Sequence, residues 1–144
     1  MTEEKDPGVA VVEKLLDAFL VLDLEAAMDC FADDAVLYDP HYPVRRMEGE
    51  EAIRQGLAWG IGNLEKPGFT VRHIWSDGKS GAVEMDTHHV FKGGMKINFD
   101  QVFVFETKDG KITRLQSYVP YAPGGIGGFM AKATRWSWKI KGKA

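Results

Sequence analysis

Residues 31–43, FADDAVLYDPHYP, place an aspartate directly before a proline and a histidine two positions later. Carboxylates and imidazoles are the side chains that general acid/base catalysis uses most. The ordinary pKa of histidine lies near neutrality, so His41 is suited to exchange a proton at physiological pH. Two interpretations are open: Asp39 ends a strand and caps a turn, or Asp39 and His41 are placed to move a proton.

The backbone around this pair is restricted. Pro40 and Pro43 each fix their own φ angle and limit the residue before them, which predicts an irregular segment over 40–47. His41 lies between the two prolines, beside Tyr42. A stiff loop of this kind would aim the imidazole reproducibly.

Strand alternation supplies two more candidate residues. In GAVEMDTHHVF, residues 81–91, the apolar side chains share one face with His89, while His88 points to the other. In MKINFDQVFVFE, residues 95–106, Gln101 shares a face with phenylalanines. A buried amide needs partners, which a ligand carbonyl, His89, or a neighbouring strand or helix could supply. His89 and Gln101 are therefore either site residues or hydrogen-bonded core residues.

The same alternation places His73 with Phe69, Val71 and Trp75 on one face of FTVRHIWS, residues 69–76, and predicts that His73 lines the same space or its open end. His88 and His89 point to opposite faces and cannot chelate an ion together. No dinucleotide or phosphate-binding glycine motif opens a helix. We therefore expect neither a metal nor a cofactor.

The elements that carry these residues predict an α+β fold. Apolar residues at helical spacing indicate helices over 7–22 and 24–31, and a third in GEEAIRQGLAWG; Ala35 to Tyr38 is a short strand. Four strands follow, FTVRHIWS, GAVEMDTHHVF, MKINFDQVFVFE and KITRLQSYVPY, separated by hairpin-type turns. Helices followed by antiparallel strands predict a strongly curved sheet wrapped around the helices.

Composition narrows the function classes. A chain of 144 residues fits one domain, and a net charge of −3 disfavours nucleic-acid binding. The only cysteine, Cys30, is expected to be buried, and the lack of a disulfide pair favours a cytoplasmic location. The start of the chain lacks the pattern of a signal peptide, and no apolar run is long enough to span a membrane.

The tail differs from the rest of the chain. APGGIGG, residues 122–128, is interpreted as a flexible hinge. The basic, aromatic segment FMAKATRWSWKIKGKA has apolar residues close to helical spacing. It predicts a terminal helix that packs on the domain or on a partner subunit, with a membrane surface or an anionic ligand as alternatives. The expected division is a cone-shaped domain, 1–122, followed by a hinge and tail, 123–144.

The order of helix, DLEAAMDCFADDAVLYDP, proline-containing loop, GEEAIRQGL and four strands resembles the nuclear transport factor 2-like fold. More narrowly, residues 9–121 resemble the SnoaL-like cyclases and the ketosteroid isomerases. The resemblance implies a cone-shaped, curved, mixed sheet around three N-terminal helices, here with a tail helix, and a pocket open at one end. It also implies a homodimer. This fold hosts isomerases, dehydratases, cyclases, epoxide hydrolases and proteins without catalytic activity.

The resemblance also implies residue roles. In the isomerases the Asp-Pro aspartate is the general base, which corresponds to Asp39 here. The tyrosine that donates to the oxyanion corresponds to Leu15, and the protonated aspartate that is the second donor corresponds to Gln101, a weaker donor. The candidate catalytic residues are therefore Asp39, His41, His89 and Gln101. The candidate substrate-binding residues are Leu15, Phe19, Trp59, Phe91, Phe103 and Val119.

Three hypotheses follow. The first is a cofactor-independent acid/base enzyme, an isomerase, cyclase or dehydratase, that acts on a small hydrophobic, cyclic carbonyl or polyketide-like molecule. The second is a module of the same fold that binds a small molecule or dimerises without chemistry, which the absence of the two isomerase donors favours. The third is an epoxide hydrolase, although its Asp-Arg-Asp set is not identifiable and Arg72 and Arg114 fall on the expected outer face.

Overall fold

The computed structural model describes residues 5–120 and 125–142. Within these ranges the chain forms four helices and seven strands. The helices are α1 (Pro7–Leu20), α2 (Leu24–Met28), α3 (Glu50–Asn63) and α4 (Gly125–Ile140). The strands are β1 (Phe31–Tyr38), β2 (Arg46–Glu48), β3 (Leu64–Lys66), β4 (Phe69–Ser76), β5 (Ser80–Phe91), β6 (Lys96–Lys108) and β7 (Lys111–Tyr118).

The seven strands form one mixed sheet in the order β2-β1-β7-β6-β5-β3, and β4 also pairs with β5. Neighbouring strands are antiparallel except β1 and β7, which run parallel. One face of the sheet packs against the N-terminal helices around a single hydrophobic core. The predicted α+β class, with a curled mixed sheet, N-terminal helices and a C-terminal helix, is confirmed.

Helix α1 begins where the sequence predicts. The side chain of Asp6 accepts hydrogen bonds from the backbone N–H groups of Gly8 and Val9, and Pro7 occupies the first turn. Ser76 at the end of β4 donates to the same carboxylate oxygen, so one side chain both caps α1 and ties it to the sheet. These hydrogen bonds lower the pKa of Asp6, and the hydrogen bond from Ser76 has the largest effect.

The boundary between α2 and β1 differs from the prediction. Helix α2 ends at Met28 rather than residue 31, and β1 begins at Phe31 rather than Ala35. Phe31 pairs with Ile112 of β7, so pairing across the sheet outweighs the local helical spacing. Strands β2 and β3, of three residues each, are also absent from the prediction because they exist through pairing with β1 and β5. Cys30 is buried, as predicted, and burial raises its pKa.

A bulge in β4 makes the predicted facing of its second half wrong. Val71 pairs with Met85 but His73 pairs with Glu84, so Arg72 is an extra residue on β4. The extra residue reverses the alternation after it. His73 is therefore exposed on the outer face, where its ring lies 4.3 Å from that of Trp75, and does not line the interior.

The tail also differs from the prediction in part. Helix α4 already includes Gly125 to Gly128, so these residues are helical rather than a flexible hinge; the rest of the predicted hinge, residues 122–124, lies outside the described residues. The predicted terminal helix is present. The proposed division at residue 122 stays a prediction.

Candidate functional site

A cavity of about 220 Å³ lies between the inner face of the sheet and helices α1 and α3. Most of the side chains that line it are aliphatic or aromatic. Five polar side chains border the same space: Asp39, His41, Tyr42, His89 and Gln101. An apolar cavity with a few convergent polar groups is the usual form of a small-molecule site.

Five of the six predicted substrate-binding residues border this cavity, namely Leu15, Phe19, Trp59, Phe91 and Phe103. Trp59 is 45% exposed, more than any other lining residue, and marks the open side. Val119 lies one residue beyond β7 and is not among the lining residues, because the strand that would turn it inward has ended.

Asp39 and His41 form a hydrogen-bonded pair at the cavity wall. Oδ1 of Asp39 lies 2.8 Å from Nδ1 of His41 and also accepts the backbone N–H of His41, at 2.9 Å. Asp39 is 8% exposed, and the imidazole is partly buried with its ring centroid 4.8 Å from that of Phe99. An ionised carboxylate can only accept a hydrogen bond, so Nδ1 of His41 is the donor where Asp39 is ionised.

The loop that carries the pair is held at both ends. The backbone N–H of Asp39 donates to the carbonyl of Arg45 at 2.9 Å, and the N–H of Tyr42 donates to the carbonyl of Asp39 at 3.2 Å. The Asp-Pro turn and the catalytic interpretation are therefore compatible. One oxygen of Asp39 shapes the turn, while no described residue donates to Oδ2.

Tyr42 is a lining residue for which the sequence prediction proposed no role. Its ring packs against Trp59, with centroids 5.7 Å apart, and fits against two glycines of α3. A Cβ at Gly60 would lie 2.8 Å from the Tyr42 hydroxyl, and one at Gly56 would lie 3.3 Å from the Tyr42 ring. The four-residue spacing of these glycines on one helix face was the available signal. Burial, with the charge of Asp39, raises the pKa of Tyr42, so its hydroxyl keeps its proton.

His89 enters the cavity from β5, as the strand alternation predicts. Its Nδ1 accepts the backbone N–H of Gly68 at 3.1 Å, which in the neutral ring puts the proton on Nε2. Its ring meets Phe69 edge-on, with centroids 4.9 Å apart. The pKa of His89 is lowered to about 4, mainly by burial, with smaller contributions from the charges of His88 and His41; the charge of Asp39 opposes the shift. His89 is therefore a neutral N–H donor at pH 7.

Gln101 joins three neighbouring strands beneath the cavity. Thr87 on β5 donates from Oγ1 to Oε1 of Gln101 at 2.8 Å, and Nε2 of Gln101 donates to Oγ of Ser117 on β7 at 2.5 Å. All three residues are buried. These two hydrogen bonds are of the structural kind that one interpretation of Gln101 predicts. No described residue accepts the second N–H of the amide, and Gln101 borders the cavity.

The outer face of the sheet carries a separate polar cluster. Arg72 lies 2.5 Å from Asp86 and 3.1 Å from Asp100, and all three side chains are exposed there. Asp86 and Asp100 face each other across β5 and β6; their contact lowers the pKa of Asp86 and raises that of Asp100. Arg72 is on the outer face, as predicted, and this Asp-Arg-Asp set does not border the cavity.

Residues 5–120 and 125–142 contain neither a cluster of metal-ligating side chains nor a helix suited to span a membrane. No group of three or more His, Cys, Asp or Glu side chains is arranged to hold a metal ion. No helix in this part of the chain is long and apolar enough to cross a membrane.

Comparison with known proteins identifies the family and the fold of this chain. Residues 12–115 match the model of the SnoaL-like domain. Delta 5-3-ketosteroid isomerase from Mycobacterium sp. superimposes with a TM-score of 0.71 at 22% identity, over 79% of this chain and 93% of that one. Rv0760c from Mycobacterium tuberculosis, solved in complex with estradiol-17beta-hemisuccinate, gives 0.70 at 20% identity, over 79% and 94%.

An LEH-like epoxide hydrolase from M. tuberculosis gives a TM-score of 0.68 at 19% identity, over 95% of this chain and 97% of that one. No curated protein sequence matches this chain significantly. At these identities the structural similarities establish the fold.

Proposed function

We propose that this chain, which belongs to the SnoaL-like domain family, is an acid/base enzyme that needs no cofactor and acts on a small hydrophobic carbonyl compound. The observation that carries the proposal is that one apolar cavity is bordered by both a candidate base and a candidate hydrogen-bond donor. A carboxylate held by His41 and a neutral imidazole donor, His89, both border the space where a ligand would lie. Such a base and such a donor are what enolisation requires.

The proposed reaction is a proton transfer between carbons next to the carbonyl. Oδ2 of Asp39 takes the proton from the α-carbon, and the electron pair of that C–H bond moves to form an enolate. The Nε2–H of His89 donates to the developing oxyanion, and the second N–H of Gln101 is an additional donor. Return of the proton from Asp39 to another carbon gives isomerisation. In cyclisation the enolate attacks a second carbonyl, and the alkoxide that forms takes the proton from Asp39. In dehydration the C–O bond to a β-hydroxyl breaks, and the group leaves as water with that proton.

His41 is proposed to orient Asp39. Two N–H groups of His41 converge on Oδ1 and hold that oxygen in the turn, so Oδ2 is the oxygen proposed to take the proton. The apolar lining supports a hydrophobic substrate, since hydrogen-bond donors are stronger where water is excluded. A cyclic or polyketide-like substrate is consistent with the steroid derivative bound by the mycobacterial relative.

Binding without chemistry is the second candidate. The positions of both isomerase donors favour it, because Leu15 offers no hydrogen bond and two atoms of the Gln101 amide are already engaged. In this case the cavity would hold an apolar ligand unchanged. A homodimer through the outer face of the sheet, which carries Val102 and Val104, is proposed with either function.

Hydrogen–deuterium exchange separates these candidates without knowledge of the natural substrate. Cyclic ketones and hydroxyquinone mimics of polyketides are incubated with the protein in D₂O, and deuterium at the α-carbon is followed by NMR. We expect the wild type to catalyse exchange and Asp39→Asn to lose at least a hundredfold in rate. Asp34→Asn, at an exposed carboxylate on β1, the strand that Asp39 follows, is the matched control and keeps the wild-type rate. A ligand that binds but never exchanges would support the binding module instead.

A further inference from the structure

Helix α4 has one apolar stripe and no acidic residue. Most of its apolar side chains recur three or four positions apart, so they fall on one face of the helix, whereas Trp138 lies outside that face. The side chains of the stripe are Ile126, Phe129, Met130, Ala133, Trp136 and Ile140. This pattern is typical of an amphipathic helix whose apolar face packs against another apolar surface.

The rest of the described chain does not cover this stripe. Phe129 is 73% exposed and Trp136 is 68% exposed, and the side chains of Ile126, Met130 and Ile140 are exposed as well. The predicted packing of the tail helix on its own domain is therefore wrong for the apolar side chains of α4. Several large apolar residues exposed along one helix mark an interaction surface.

Positive charge surrounds the stripe. Lys132, Arg135 and Lys139 lie on the polar side of α4, and Lys141 follows directly after the helix. Residues 125–142 thus carry four basic and no acidic side chains, in a chain whose net charge is −3. A surface that complements this helix must offer apolar groups to the stripe and anionic groups to the basic side chains.

A second α4 does not fit that description. The helix is about 24 Å long, and a stripe about 10 Å wide covers roughly 240 Å² per helix, far below the area of a stable interface. Two such helices would also bring their cations together. An anionic bilayer offers both complements, since acyl chains accept the apolar face and lipid phosphates accept the lysines and arginine.

We propose that α4 binds the surface of an anionic lipid bilayer and lies in the plane of its interface. Trp136 and Phe129 enter the boundary between headgroups and acyl chains, where aromatic rings are favoured. The basic side chains extend to the phosphates. Because β1 and β7 are parallel neighbours, β7 ends on the same side of the sheet as β1, which Asp39 follows.

Vesicle flotation of the full chain tests this proposal. The probes are vesicles of phosphatidylcholine alone and of phosphatidylcholine with 30% phosphatidylglycerol, at low and high salt. Met130→Glu places a charge in the stripe, and Met95→Glu is its matched control: both methionines are exposed, at 61% and 65%, and the change in net charge is the same. A third variant replaces Lys132, Arg135 and Lys139 by glutamine, which preserves helix propensity.

We expect the wild type and Met95→Glu to float with anionic vesicles only, and the binding to fall at high salt. Met130→Glu should lower the partition coefficient at least tenfold, and each neutralised cation should lower it about fivefold. Equal binding to neutral and anionic vesicles, or no binding at low salt, would overturn the proposal. Light scattering without vesicles measures the mass of the protein in solution. A mass that falls to half in Met130→Glu but not in Met95→Glu would identify a second copy of the chain as the occupant of the stripe and would also overturn the proposal.

Discussion

Oδ1 of Asp39 receives two hydrogen bonds from one residue, the Nδ1–H of His41 at 2.8 Å and the backbone N–H of His41 at 2.9 Å. The imidazole can be removed without removing the backbone donor. The relationship therefore allows the contribution of the ring to be separated from that of the turn.

His41→Phe tests the ring. The substitution keeps an aromatic side chain beside Phe99 and the backbone N–H on Oδ1, but it removes the Nδ1 donor. We expect the rate of α-carbon exchange to fall about tenfold, less than the roughly hundredfold or greater contribution of a group that itself transfers the proton, with ligand affinity within twofold. His73→Phe, an exposed histidine on the outer face, is the control. Equal rates for His41→Phe and wild type would remove His41 from the mechanism.

The low pKa of His89 makes folding stability depend on pH. In the unfolded chain His89 binds a proton below about pH 6.5, whereas in the folded chain it stays neutral down to about pH 4. Between these values the unfolded state binds more protons, so stability is present above pH 6.5 and is lost as the pH falls toward 4. The loss expected from this residue is about 2–3 kcal/mol, reduced from the full shift because the ring is only partly buried.

His89→Gln removes that titration and keeps an acceptor for the N–H of Gly68. We expect the free energy of unfolding of wild type to decrease about 2–3 kcal/mol more than that of His89→Gln between pH 7 and pH 4. Denaturant titrations at several pH values measure the difference, since other groups titrate equally in both proteins. His73→Gln serves as the control and should follow wild type. Parallel curves for wild type and His89→Gln would show that His89 is not desolvated.

Local pattern was enough to predict much of the site. Alternation along β5 and β6 correctly turned His89 and Gln101 inward, because both strands are regular between their turns. The same reasoning was wrong for His73, because the bulge at Arg72 reverses the alternation and leaves no mark in the sequence. A single inserted residue changes the face of every residue after it.

Contacts between elements were beyond prediction. The sequence places Asp39 and His41 two residues apart but cannot show that both N–H groups of His41 reach one oxygen. The sequence leaves a ligand carbonyl, His89, or a neighbouring strand or helix open as partners for Gln101, and in the structure the partners are Thr87 and Ser117, on two neighbouring strands. Such pairings depend on strand register, which sequence spacing does not determine.

Gly60 tests whether α3 positions the Asp39 loop. Alanine at this position gains helix propensity, but its Cβ would lie 2.8 Å from the hydroxyl of Tyr42, so the ring and its loop must shift. We expect Gly60→Ala to destabilise by about 1–2 kcal/mol and to slow α-carbon exchange. Gly62→Ala is the matched control on the same helix, because no atom lies within 4 Å of its added Cβ.

Gly62→Ala should stabilise the protein by about 0.5–1 kcal/mol, the ordinary gain of alanine over glycine in a helix. Denaturant titrations measure the stability of both variants, and the exchange assay measures their rates of α-carbon exchange. An equal gain in stability for Gly60→Ala with an unchanged exchange rate would mean that the contact with Tyr42 does not position the loop.

Gln101 tests the polar network at the base of the cavity. Gln101→Leu removes both bonds of the amide and leaves the hydroxyls of Thr87 and Ser117 buried without their partner. A buried polar group that loses its hydrogen bond costs about 1–3 kcal/mol, so we expect the free energy of unfolding to fall by about 2–4 kcal/mol for the two groups. Gln55→Leu, an exposed glutamine on α3, should change stability by less than about 0.5 kcal/mol.

The triple variant Thr87→Val, Gln101→Leu, Ser117→Ala identifies the cause. If unpaired hydroxyls account for the loss, removing them together with the amide should recover most of it, because an apolar replacement of a complete network is nearly neutral. If the triple variant is as unstable as Gln101→Leu, packing rather than hydrogen bonding is the cause. The exchange assay then separates structure from chemistry: a triple variant that is stable and exchanges at the wild-type rate would exclude Gln101 as a donor to the substrate carbonyl.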